Sequence, residues 1–94
     1  MKVRLSSRAL REFSAAVEFY LEDGPAAARS FGDELEAAFR HLGRYPNLAA
    51  PTAAAGVRAK TLRRFPYRVF YEIGPHEIRV LSIFHTSRKP DDLS

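Results

Sequence analysis

At Val57 the hydrophobic period of this chain changes from between three and four to two. Upstream, apolar residues recur at helical spacing. Downstream they alternate, in two strand-length runs joined by Gly74-Pro75-His76. Side chains repeat every 3.6 residues around a helix and every 2 along a strand, so each half of the chain favours one kind of element. A chain that forms helices first and strands afterwards has to bury both against one core. The expected fold is therefore α+β: an N-terminal strand, an antiparallel helical hairpin, then a C-terminal antiparallel β-meander packed on the helices.

Residues 1–6 read as a short strand tied in at one edge of the sheet. Val3 and Leu5 lie on one face and Lys2 and Arg4 on the other. Ser6 or Ser7 then offers an N-cap, its hydroxyl accepting from a free N–H of the first helical turn. Leu10, Phe13, Val17, Tyr20 and Leu21 form the expected apolar stripe of the first helix, opposite Arg11, Glu18 and Glu22. Gly24 stops that helix. Pro25 suits the first turn of the next, where its missing N–H would be unpaired anyway. The second helix is expected over 25–45, with Ala28, Phe31, Leu35, Ala38 and Leu42 inward and Phe39 beside them. Ala27, Ala28, Gly32, Ala37 and Ala38 are small enough to let a neighbour approach closely. Almost no chain separates the helices, which predicts a hairpin. Pro46 ends the second helix, and 47–56, rich in Ala and Pro, reads as a surface loop.

Residues 57–64 read as a basic strand. In the next strand Tyr67, Val69, Tyr71 and Ile73 face one way and Arg68, Phe70 and Glu72 the other. In the run 77–84, Ile78, Val80 and Phe84 share a face, with Leu81 and Ile83 opposite. Apolar residues on both faces predict a central strand, covered by the helices on one side and by something else on the other, part of a partner protein being one candidate. Ninety-four residues suffice for one modest core, so 1–94 is expected to be a single domain.

The excess of positive charge is confined to the strand-forming half. Between 57 and 90, Arg58, Lys60, Arg63, Arg64, Arg68, Arg79, Arg88 and Lys89 face only Glu72 and Glu77, a net of +6. Residues 1–56 hold seven basic and seven acidic groups. The basic segment is thus the expected functional surface, directed at an anionic partner, either nucleic acid or an acidic protein. With no cysteine, disulfides and thiolate metal sites are excluded, and the composition suits a reducing cytoplasm. No signal-peptide run and no run of 18 apolar residues occurs, so no membrane role is expected. His41, His76 and His85 are too scattered to predict a metal site, and no phosphate-binding loop or nucleophile elbow calls for a cofactor.

Two chemical readings of the basic segment stay open. In an RNA phosphodiesterase, His85 would be the base or acid. Arg68 and Arg88 would hold the phosphate bidentately. Each residue also has a structural reading. His85 can be a hydrogen-bonded strand-end histidine. Phe65, Tyr67, Phe70 and Tyr71 can be core, and Arg63 and Arg64 can guard a solvated sheet edge.

The stretch from Leu62 to Ile73, with Phe65-Pro66-Tyr67-Arg68 at its centre, resembles toxins of the ParE/RelE superfamily from bacterial toxin–antitoxin modules. So does the run from Ile78 to Pro90, which ends His85-Thr86-Ser87-Arg88-Lys89-Pro90. Ala27-Ala28-Arg29-Ser30-Phe31 and Leu42-Gly43-Arg44-Tyr45-Pro46 fit the same pattern, so the likeness spans nearly the whole chain. It implies the α+β toxin fold already expected. RelE-like members cleave mRNA on the ribosome with a basic cluster and often a C-terminal tyrosine or histidine. ParE-like members inhibit DNA gyrase. No tyrosine follows Arg88 here, leaving His85 as the sole replacement, and the wording of the motifs is closer to ParE. The resemblance therefore implies a gyrase inhibitor bound in a hetero-oligomer by a ParD-like antitoxin. The alternatives are a ribosome-dependent endoribonuclease and an inactive antitoxin-binding module. Arg58, Arg63, Arg64, Arg68, Tyr71 and Arg88 are the implied contacts to antitoxin or target.

Overall fold

The last described strand of this chain packs against both helices and two of the other strands. A computed structural model, which describes residues 1–87, gives the order β1 (Lys2–Leu5), α1 (Ser7–Leu21), α2 (Pro25–Arg44), β2 (Ala50–Pro51), β3 (Val57–Thr61), β4 (Tyr67–Ile73) and β5 (Glu77–His85). The strands form one sheet in the order β1-β5-β4-β3-β2, so β5 is second from one edge. β2 to β5 are antiparallel to one another, and β1 runs parallel to β5, pairing Lys2 with Glu77 through Leu5 with Val80. The helical hairpin covers one face. The α+β arrangement expected from the period change is the one found, with β1 at one edge of the sheet as expected. One element is added: the 47–56 loop contributes the two-residue β2 against Ala59 and Arg58.

Ser6 joins strand to helix. Its backbone N–H donates to the Val80 carbonyl at 2.9 Å, and its hydroxyl accepts from Ala9 N–H and donates to the Leu81 carbonyl, both at 3.0 Å. It is thus the N-cap of α1 and a rivet to β5. Gly24, at φ 120°, makes the turn between the helices in a region that disfavours side chains, and Pro25 begins α2.

All five residues of the expected α2 stripe, Ala28, Phe31, Leu35, Ala38 and Leu42, are buried. Phe31, Leu35, Ala38 and Leu42 join Val69, Tyr71, Ile78, Val80 and Ile83 of the sheet in one core cluster. Phe31 sits within 5.3 Å, ring to ring, of Tyr20, Phe65 and Tyr67. The α1 stripe is rotated by one residue from the expected one. Ala9 and Ala16 are buried, with Phe13, Val17 and Tyr20 partly so, whereas Leu10 and Leu21 are 58% and 50% exposed. Alanines occupy the centre of this face because α1 lies close against β5. A stripe drawn through the largest apolar residues misses that.

Close approach is also placed differently. Gly32 faces open space and Ala37 is exposed. The tight contact is at Gly43, where a Cβ would stand 2.5 Å from the Met1 carbonyl oxygen. The strand expected over 57–64 stops at Thr61. Arg63 and Arg64 lie in the turn that follows, and β2 rather than β3 is the edge.

The faces of β5 need the largest correction. Phe70 pairs with Ser82 but Tyr71 with Val80, so Leu81 is an extra residue in a β-bulge. The bulge reverses the alternation. Ile83, opposite Val69, joins Ile78 and Val80 on the helix side, while Phe84, opposite Arg68, turns to the other face. A strictly alternating reading had these two exchanged.

Candidate functional site

Residues opposite one another in a ladder share a face, so the register sorts the basic segment directly. Arg58 lies opposite Tyr71 and Lys60 opposite Val69, on the side of the helices. Arg68 lies opposite Thr61 and Phe84, on the uncovered face. Tyr67 and His85 face each other on the helix side, rings 5.1 Å apart. Arg68 and His85 are neighbours across the ladder but point to opposite faces of the sheet. Lys60 is at the far side of the sheet from His85, with β4 between their strands. Arg88 lies outside the described residues.

Several expected contact residues are bound internally. One Arg58 amino group donates to the carbonyls of Ala49 at 2.7 Å and Asn47 at 3.2 Å. The Tyr71 hydroxyl donates to the Pro46 carbonyl at 2.6 Å. Together they hold the segment leaving α2 onto the sheet. Burial raises the Tyr71 pKa, opposed by the nearby Arg58 cation. Arg64 is held by Glu34 of α2. That carboxylate accepts from Arg64 Nε at 2.9 Å and from the backbone N–H groups of Arg63 and Arg64 at 3.0 and 3.1 Å. Burial alone would raise the Glu34 pKa, but the bonds from Arg64 and Arg63 outweigh it and hold the carboxyl below its usual range.

Arg63 and Arg68 keep guanidinium groups with no carboxylate partner among the described residues. Arg68 lies over the Phe70 ring at 5.1 Å, and Phe70 meets Phe84 edge-on at 6.4 Å. This Arg-aromatic patch is the part of the uncovered sheet face best suited to meet an anionic, partly apolar partner. Phe65, Tyr67 and Tyr71 of the aromatic cluster belong to the core side, and Phe70 alone is on the uncovered side.

A second surface lies on the helix side. A cleft of about 650 Å³ separates α1 from the end of β5. Arg11, Glu12, Ala15, Ala16 and Phe19 line it from the helix, and Tyr67, Ile83, His85 and Ser87 from the sheet. His85 Nδ1 accepts from Ser87 N–H at 3.2 Å and lies 2.7 Å from the Ser87 hydroxyl. Glu12 accepts from the Ser82 hydroxyl at 2.8 Å and Ile83 N–H at 3.0 Å, and pairs with Arg8 at 3.5 Å. Sequence reasoning missed Glu12, Glu34 and Phe19. The one available signal was Phe19, a large apolar residue off the apolar stripe of its helix. No three His, Asp or Glu groups converge on a metal-sized space among the described residues, and no described helix is long and apolar enough to cross a membrane.

Comparison with known proteins follows the same lines. The model of the family described as the ParE toxin of the type II toxin–antitoxin system, parDE, matches residues 3–90. The fold superposes on a chain of the chromosomal ParDE system from P. aeruginosa with a TM-score of 0.82, at 24% identity, covering 93% of this chain and 97% of that one. A chain of the toxin–antitoxin complex RelBE2 from Mycobacterium tuberculosis gives a TM-score of 0.59 at 25% identity, covering 89% of this chain and 95% of that one. No curated protein matches.

Proposed function

This chain belongs to the ParE toxin family of type II toxin–antitoxin systems, and from that premise we propose that it acts by binding, inhibiting DNA gyrase until a ParD-like antitoxin neutralises it. The observation that carries this reading over mRNA cleavage is the separation of Arg68 from His85 onto opposite faces of the sheet. A phosphodiester cannot be clamped by the guanidinium and attacked with help from the imidazole when a sheet lies between them, since acid–base catalysis requires hydrogen-bond reach to the same reacting group. The solved relatives, both from named toxin–antitoxin systems, support an antitoxin partner in a hetero-oligomer. Arg68 and Arg63 are the foremost contact residues, because Arg58, Arg64 and Tyr71 have internal duties. A gyrase target places the action in the cytoplasm.

The test is controlled expression without antitoxin, following growth, total translation and gyrase-dependent DNA cleavage together. Cleavage complexes with translation initially intact are expected. Early loss of translation with intact DNA would instead establish the RelE-like nuclease and make His85 the first residue to replace. A folded, expressed chain without effect on growth would leave an inactive antitoxin-binding module.

A further inference from the structure

Ser7, Leu10, Ser14, Val17 and Leu21 recur along α1 at alternating spacings of three and four, the a and d positions of two successive heptads. At about 100° per residue this seam lies about a third of a turn around α1 from Ala9 and Ala16, the residues that enter the core. Leu10 and Leu21 are 58% and 50% exposed, Ser7 and Ser14 are exposed, and Val17 is half-buried. None of the five lines the cleft between α1 and β5, which Ala15, Ala16 and Phe19 border. A single exposed leucine is ordinary. Two on one seam, three turns apart with small residues between them, make a ridge that a second helix fits.

The charges beside the seam identify that helix. Arg11 and Glu18 flank it on one side, next to Leu10 and Val17. Both are exposed, and neither has an ion-pair partner among the described residues. Seven residues set them about 10 Å apart along the axis, too far to pair with each other. A second copy of α1 running antiparallel, about a two-fold axis between Ser14 and Val17, sets Leu10 against the partner's Leu21 and Arg11 against the partner's Glu18. The symmetry makes each contact twice. A parallel copy would instead oppose like charges. Ser14 and Val17 at the crossing are small enough for the axes to approach to about 8–10 Å. A Ser14 hydroxyl withdrawn from water there has the carbonyl four residues back as acceptor. The 15 residues of α1 give a seam of about 22 Å. One helix face of that length buries less than the roughly 1,200 Å² of a stable complex, so the pair is weak and forms with concentration.

We propose that two copies of this chain associate through an antiparallel, two-fold contact of the Leu10–Leu21 seam of α1. The sheet face that carries Arg68 is turned away from the helices, so the pair presents that face twice and is bivalent towards whatever binds it. The inference is independent of the proposed target. Sedimentation equilibrium of the purified full chain, from about 2 to about 200 µM, tests it. The mean mass should rise from one chain towards two, with a Kd on the order of tens of micromolar. Leu21→Glu should weaken association by about tenfold or more, while Arg79→Ala, on β5, leaves it unchanged. Glu18→Arg, which turns two attractions into two repulsions, should weaken it by about tenfold at low salt. Adding Arg11→Glu to Glu18→Arg should restore it to within about threefold of wild type, a recovery that requires Arg11 of one copy to face Glu18 of the other. Should Leu21→Glu fail to fold, the charge series, at two exposed positions, carries the test. A chain that stays monomeric up to about 200 µM overturns the proposal. Association that Leu21→Glu and Glu18→Arg leave unaltered overturns it too, as does a double variant that fails to recover.

Discussion

Glu34 joins a helix to a turn of the sheet through one side chain. Its carboxylate receives two consecutive backbone N–H groups and a guanidinium, fixing the turn between β3 and β4 onto α2. The shift in its pKa is a stability statement. A carboxyl whose folded pKa is depressed stabilises the fold above its unfolded pKa, and that contribution is lost as pH falls through the folded value. Wild-type stability should therefore decline from about pH 4.5 downward with a component that Glu34→Gln removes, measurable by urea unfolding at a series of pH values. Tyr71→Phe deletes the donor to the Pro46 carbonyl without changing the ring. It should cost about 1–2 kcal/mol in the same assay. Gly43→Ala would set a methyl group against the Met1 carbonyl oxygen, and the expected loss is about 1–3 kcal/mol despite the better helix propensity of alanine.

Among the secondary-structure elements, β5 tests the packing most sharply. With the bulge at Leu81, Ile83 is in the core and only 1% exposed. Ile83→Ala should cost about 2–5 kcal/mol, and Leu81→Ala distinctly less, in denaturant unfolding. Equal losses would argue against the bulge. Most elements and their order could be read from periodicity, because Phe31, Leu35 and Leu42, or Val69 and Tyr71, bury one face of a regular element. What could not be read has particular causes. The bulge has no compositional mark, so Ile83 and Phe84 changed places. α1 packs through Ala9 and Ala16, which carry little hydrophobic weight, so Leu10 and Leu21 were drawn inward. The candidate site was legible as a charged segment but not as a geometry. The division of Arg68 from His85 follows from pairing register, and the internal use of Arg58 and Arg64 from the carbonyls of Asn47 and Ala49 and from the Glu34 carboxylate, distant in sequence.

For the molecule as a whole, the separation of charge is a separation of tasks. Cations that face the helices or their turns hold backbone carbonyls and Glu34, while Arg63 and Arg68 remain available to a partner. Replacing Arg63 and Arg68 with alanine should leave stability within about 1 kcal/mol of wild type, since neither anchors the core. The same pair should weaken antitoxin binding and flatten its dependence on salt, as titration calorimetry at two ionic strengths would show. Unchanged affinity and salt dependence would remove both residues from the interface.

The parallel pairing of β1 with β5 has a bearing on how the chain is made. It joins residues 75 positions apart, and the strand that bridges the two sides of the sheet is made after every other described element. Closing so large a loop carries an entropic penalty that local helix formation does not offset, so the slow step of folding should be the docking of β5. Until then the hairpin has no complete surface on which to bury Phe31 and Leu35, and β1 has no neighbour. A nascent chain halted before Glu77 could form only the β2–β4 part of the sheet and would leave β1 unpaired, so the two sides of the sheet are joined only once β5 is made.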